Sequence, residues 1–215
     1  MQAGVHLSER ALVFDNIAEA AQNGDYRKFA ALMDATMKEW GVLDEGTGYV
    51  DGKLVSDTGE IVFDPDHAQF KINTPGCGYF SGAPEAEIRL SEKVTVQAGN
   101  ERISLALLPL GTDSMEDAKE FLLTAMGTTG TDEANYTPGP ELMPGMNFTM
   151  VRMDGKLYAE TLEGSLTVTA ESAKLIALDP VGREIGEIAG EKCDGGIRFA
   201  MKGDLPGVQY HLTIG

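Results

Sequence analysis

The sequence predicts a mainly β protein: an antiparallel, jelly-roll-like β-sandwich with two α-helices at its N-terminal end. Three observations predict it. Apolar residues recur with a helical period as far as Gly41 and with a period of two beyond it. Turn dipeptides punctuate the second part, leaving roughly ten to twelve short strands at intervals of about eight to twelve residues, the spacing of a sandwich. Strands do not alternate with helices, which disfavours a parallel α/β sheet. The composition shift after Gly41 divides the chain into a helical segment, 1–41, and a β-sandwich domain, 42–215.

The first helix is read in LSERALVFDNIAEAAQNG, where Leu12, Val13, Ile17, Ala20 and Ala21 keep helical spacing and Asn23-Gly24 ends it. The second begins at Asp25, a good N-cap, carries Phe29, Leu32, Met33, Met37 and Trp40 on one face, and stops at Gly41. Among the strands, AQFKIN places Phe70 and Ile72 on one face, RISLALL turns Ile103, Leu105 and Leu107 inward, and SLTVT does the same with Leu166 and Val168. In VQYHLTI the inward set is Val208, Tyr210, Leu212 and Ile214; AKLIALD, REIGEIA and GIRFAM are further candidates. Asp51-Gly52, Thr58-Gly59, Gly99-Asn100, Asp154-Gly155 and Gly195-Gly196 mark turns. Residues 127–145 form the longest irregular stretch.

The formal net charge is -17, from 34 acidic against 17 basic residues. Nucleic acid is excluded as a partner, because phosphate contacts need a clustered positive surface and no such cluster is present. An anionic membrane surface is repelled for the same reason, and no apolar run approaches the roughly 18 residues of a membrane span. Residues 1–16 lack a basic region followed by an apolar core, so no secretory signal is read there; the chain is expected to be a piece of a larger protein. Cys77 and Cys193 fall short of a disulfide scaffold or a zinc site. Two unlinked thiols is the simpler reading, with a single disulfide as the alternative.

Catalytic chemistry finds little footing. There is no G-x-S-x-G elbow, and the three histidines, His6, His67 and His211, read as exposed residues rather than members of a triad. No metal-ligand motif and no phosphate-binding Gly-rich loop is present, so no metal and no cofactor is expected. Glu39, Asp64, Asp66, Asp132 and Glu133 lie near turns without a context that specifies acid–base work. DPDH and GTDSMED offer oxygen atoms but not the EF-hand pattern, and read as solvated turns. Aromatic side chains are what remain, since a rigid ring stacks on the apolar face of a sugar at small entropic cost. Trp40, Tyr158 and Tyr210 read as core. Tyr49, Tyr79 and Tyr136 lie in turns or loops and are the candidate carbohydrate-binding residues.

SDTGEIVFDPDHAQFKINTP, residues 56–75, resembles the C-terminal β-domain that follows the catalytic barrel in bacterial glycoside hydrolases of the cellulase-like, family 5 type, through Ser56, Asp57, Thr58, Gly59, Glu60, Ile61, Asp64, Phe70, Ile72, Thr74 and Pro75. ISLALLPLGTDSMEDAKEFLLTAMG is similar to that family's strand, gap and strand, and AKLIALDPVGREIGEIAG to its recurring hairpin. The resemblance covers about residues 41–215; the GCG after Pro75 departs from it, where relatives more often carry a polar or basic turn. It implies a non-catalytic β-sandwich appended to a polysaccharide-degrading enzyme, whose partners are a polysaccharide or oligosaccharide and the catalytic barrel of the parent. It also implies an extracellular or cell-surface location if that parent is secreted. The expected function is carbohydrate binding, of glucan or mannan type, by aromatic stacking. The alternatives are a structural β-domain without a ligand, and a small hydrolase using acidic loop residues.

Overall fold

The computed structural model describes residues 17–131, 134–138, 149–153, 155–202 and 207–215, with the backbone alone for 26, 134–138, 149–153 and 202. The chain divides into two units, Met1–Thr74 and Pro75–Gly215. Strands 48–74 therefore group with the helices, whereas composition alone sets the boundary at 41/42.

In the first unit, helix α1 is described over 17–22 and buries Ile17 and Ala20, one turn apart on one face. Helix α2 is Tyr26–Glu39. Its N-cap is Asp25, whose carboxylate accepts the Lys28 N–H at 3.0 Å. Phe29, Leu32, Met33 and Met37 are half-buried, as the spacing predicts. Trp40, expected in the core, is 41% exposed: it is the C-cap, one residue beyond the last turn, and has left the apolar stripe. Four strands follow as a meander, β1 (Gly48–Val50), β2 (Lys53–Val55), β3 (Ile61–Asp64) and β4 (Gln69–Thr74), each antiparallel to the next. The Asp51-Gly52 turn between β1 and β2 has positive φ at both residues, the two-residue hairpin geometry that matches strand twist.

The second unit holds β5 (Cys77–Gly82), β6 (Ile88–Arg89), β7 (Val94–Ala98), β8 (Ile103–Pro109), β9 (Glu120–Met126), β10 (Thr129–Thr131), β11 (Ala134–Pro138) and β12 (Thr149–Met153). It continues with β13 (Leu157–Ala159), β14 (Glu163–Val168), β15 (Ala173–Leu178), β16 (Glu184–Ile188), β17 (Gly190–Cys193), β18 (Gly196–Lys202) and β19 (Gln209–Ile214). One antiparallel sheet runs β5-β8-β9-β19-β15-β16 and the other β17-β18-β14-β7-β6. The predicted mainly β, sandwich-class fold with N-terminal helices is what forms.

The core lies between these sheets. Leu105, Leu107, Phe121, Leu123, Leu175 and Leu212 from one sheet meet Val94, Val96, Leu166, Val168 and Phe199 from the other, all fully buried. Each fully buried Leu or Val contributes about 1.5–3 kcal/mol. Burial alternates along β8 and β19 as the period of two requires. Tyr210 belongs to this core, and its hydroxyl is satisfied by the Gly207 carbonyl at 2.6 Å. Two small hairpins, β10–β13 and β11–β12, form sheets of their own outside the two main ones.

Candidate functional site

The first unit carries an aromatic row. Cross-strand register sets Tyr49 opposite Leu54, Leu54 opposite Phe63, and Phe63 opposite Phe70. Residues directly opposite in an antiparallel pair project from the same side of the sheet, so these four cross the meander as one line, about 14 Å long at the usual spacing between strands. Ile61 and Ile72, paired with one another, lie on the same side. No residue of this side is charged. Phe63 is 39% and Leu54 45% exposed, and Tyr49 and Phe70 are half-buried. The Phe63 and Phe70 rings are 6.5 Å apart and inclined by 53°, a tilted pair rather than a flat platform.

Tyr49 is held by its backbone. Asp34 on α2 accepts the Tyr49 N–H at 2.7 Å and receives Lys38 Nζ at 2.8 Å from one helical turn away. The carboxyl is almost fully buried and satisfied on both oxygens, so β1 is fixed against α2 at the start of the row.

The turn joining β3 to β4 contains the DPDH stretch. Asp64, buried, accepts the backbone N–H groups of Asp66 and His67 at 3.1 and 3.2 Å, His67 Nδ1 at 2.9 Å and Lys53 Nζ at 3.4 Å. Burial on its own raises the Asp64 pKa. The bonds from the His67 ring, the His67 N–H and Lys53 outweigh it and hold the carboxyl at about 2. Asp66 pairs with Arg27. These carboxylates are engaged in shaping the turn. In GTDSMED the Thr112 and Ser114 hydroxyls accept the N–H groups of Ser114 and Asp117, again as a turn. Glu39 is exposed at the end of α2, while His6, Asp132 and Glu133 lie outside the described residues. His211 Nε2 meets Glu120 at 3.1 Å across β19 and β9. Among the described residues no three carboxylate, imidazole or thiol side chains converge, and none of the helices is long and apolar enough to cross a membrane. Cys77 and Cys193 are not joined in a disulfide; burial pushes the Cys77 thiol up.

The second unit carries an open groove of about 540 Å³ beside hairpin β10–β13. Thr129, Gly130, Leu157 and Tyr158 come from the hairpin, and Leu178, Pro180 and Val208 complete the apolar lining. Tyr158, expected in the core, is 52% exposed, because β13 is a three-residue strand of a hairpin outside both sheets of the sandwich.

Of the three predicted tyrosines, Tyr49 stands in the aromatic row. Tyr79 is half-buried on β5, opposite Ala106, with its neighbour Phe80 pointing into the core. The side chain of Tyr136 lies outside the described residues; its backbone pairs with Val151. Leu54, Phe63 and Phe70 were not among the predicted site residues. The alternation in IVFD and QFKIN signals the shared side, but joining it to Tyr49 requires the register of three hairpins.

The chain matches no family model, no curated protein and no solved structure.

Proposed function

We propose that the chain is a non-catalytic carbohydrate-binding accessory module of a polysaccharide-degrading glycoside hydrolase, and that the Tyr49–Leu54–Phe63–Phe70 row receives a β-linked chain of glucan or mannan type. The row carries this reading. Three aromatic side chains in line across a sheet, on a side without charge, suit a ligand of repeating, neutral rings. The formal net charge of -17 disfavours acidic polysaccharides. The inclination of 53° between Phe63 and Phe70 suits a single twisted chain better than a flat crystalline surface. Such a module brings a tethered catalytic barrel to its substrate by raising effective concentration.

The same row favours one other reading. Leu54, Ile61 and Ile72 add aliphatic surface without hydrogen-bonding groups, which suits a structural β-domain packed on its parent barrel and binding no ligand. A small hydrolase has less support, since none of the described residues lining the groove of the second unit is a carboxylate. Affinity gel electrophoresis against soluble glucans, xyloglucan, mannans and xylan separates the readings. Retardation by one polymer class, weakened by Phe63→Ala and Tyr49→Ala, supports the proposal; Tyr79→Ala and Tyr136→Ala test the other two tyrosines. Retardation by none of them leaves the structural domain.

A further inference from the structure

The groove in the second unit is independent of that row. Gly130 and Tyr158 are cross-strand partners in the β10–β13 hairpin. A Cβ placed on Gly130 would stand 2.5 Å from Tyr158 Oη and 2.7 Å from Cζ, closer than such atoms come, so the phenol end of the ring occupies the space a side chain would take. Gly130 has ordinary strand backbone and needs no left-handed conformation. A side chain at this position would therefore move the ring aside. Tyr158 is thereby seated against bare backbone while more than half exposed, an aromatic surface positioned before any ligand arrives.

We propose that this groove is a binding site for a small, uncharged, mainly apolar ring compound, with Tyr158 as its contact surface and Gly130 as the residue that positions Tyr158. The volume of about 540 Å³ is that of a small-molecule site. None of the described lining residues is charged, on a strongly acidic chain, which favours a neutral ligand. Leu157, Leu178, Pro180 and Val208 supply apolar contact, and among the described residues the hydroxyls of Thr129, Thr161 and Tyr158 are too few to satisfy a polyol. This polarity separates the groove from the sugar-binding reading of the first unit, on which it does not depend.

The test is titration of the whole chain with N-phenyl-1-naphthylamine, a neutral fluorescent probe, with amide and aromatic NMR shifts recorded in parallel. The expected result is saturable fluorescence enhancement with shifts confined to Gly130, Tyr158, Thr161 and Val208. Gly130→Ala is expected to weaken binding tenfold or more and to move the Tyr158 ring resonances in the unliganded protein. Leu157→Ser, an exposed change in the lining, weakens binding without a backbone change and covers the case in which Gly130→Ala disturbs the hairpin. Absence of saturable binding overturns the site, as do shifts that map to Leu54 and Phe63. Unmoved Tyr158 resonances in Gly130→Ala overturn the positioning role. Loss of polysaccharide retardation in the earlier experiment touches neither result.

Discussion

Asp34 accepts the backbone N–H of Tyr49 at 2.7 Å, and the residue between the helix and that bond, Gly48, has φ +77° and no room for a side chain on the Asp34 side. The link couples α2 to the first strand of the aromatic row through three consecutive demands: a buried carboxylate, a left-handed residue and a close approach. Gly48→Ala meets strain at the backbone and a clash with Asp34 together, and is expected to cost about 1–3 kcal/mol. Asp34→Ala leaves the N–H without its partner, at a cost of about 1–3 kcal/mol. Trp40 is the sole tryptophan and lies at the end of α2, so its fluorescence during urea unfolding reports the first unit; an unchanged midpoint in Gly48→Ala rejects the coupling.

Asn100 performs a comparable task in the second unit. Its Nδ2 donates to the Thr161 carbonyl and its Oδ1 accepts the Glu163 N–H, both at 3.0 Å, tying the turn after β7 to the start of β14 from a nearly buried position. Asn100→Ala removes both bonds and is expected to destabilise by about 1–3 kcal/mol. Asn100→Asp retains only the acceptor and recovers part of that loss. Circular dichroism during thermal unfolding distinguishes the two; equal midpoints for wild type and Asn100→Ala contradict the assignment.

Strands such as β8 and β19 were legible because each alternates over six or seven residues and its inward set is uniformly large and apolar, as in Ile103, Leu105 and Leu107 or Tyr210, Leu212 and Ile214. Local signals end where register begins. Asp51-Gly52 announces a two-residue turn, and with it the pairing of Tyr49 with Leu54. The β3–β4 turn gives no such notice: it has no glycine, Ala68 takes φ +50°, and the turn is organised by Asp64, whose neighbours do not mark it as buried. The Phe63–Phe70 contact rests on that turn. Trp40 and Tyr158 were misplaced for a different reason. Periodicity shows which side of an element is apolar, and says nothing of whether a cap or a three-residue hairpin strand has a partner layer.

Asp64 makes the turn sensitive to acid. Burial raises its pKa, but the bonds from His67 and Lys53 prevail and hold it at about 2, below its ordinary 3.8. Between those values the unfolded chain binds a proton that the folded chain does not, so stability falls with falling pH. This contribution is fully present above about pH 4 and is lost as pH drops toward 2. Asp64→Asn is expected to flatten the acid limb of the Trp40-monitored stability profile in that window and to leave the slope near neutrality unchanged. Titration of the Asp64 carboxyl carbon by NMR reads the same quantity directly; a midpoint near 3.8 sinks the prediction.

Stability and ligand binding are expected to separate by residue. Phe63 is substantially exposed and contributes little burial, so Phe63→Ala is expected to change stability by no more than about 0.5–1 kcal/mol, the range of surface substitutions and of one exposed cross-strand pair. Leu212 is fully buried between the sheets, and Leu212→Ala is expected to cost about 2–5 kcal/mol through lost contacts and the cavity left behind. Polysaccharide affinity is expected to run the other way. Removal of one stacking ring is worth about 0.5–1.5 kcal/mol, roughly twofold to tenfold in dissociation constant, whereas Leu212 faces the interior of the second unit and touches no ligand in this reading. Folded Leu212→Ala protein, assayed below its unfolding transition, therefore retains full retardation by the polymer that Phe63→Ala binds weakly. If both substitutions weaken retardation in proportion to their effect on stability, binding reports only the folded fraction and the row is scaffold.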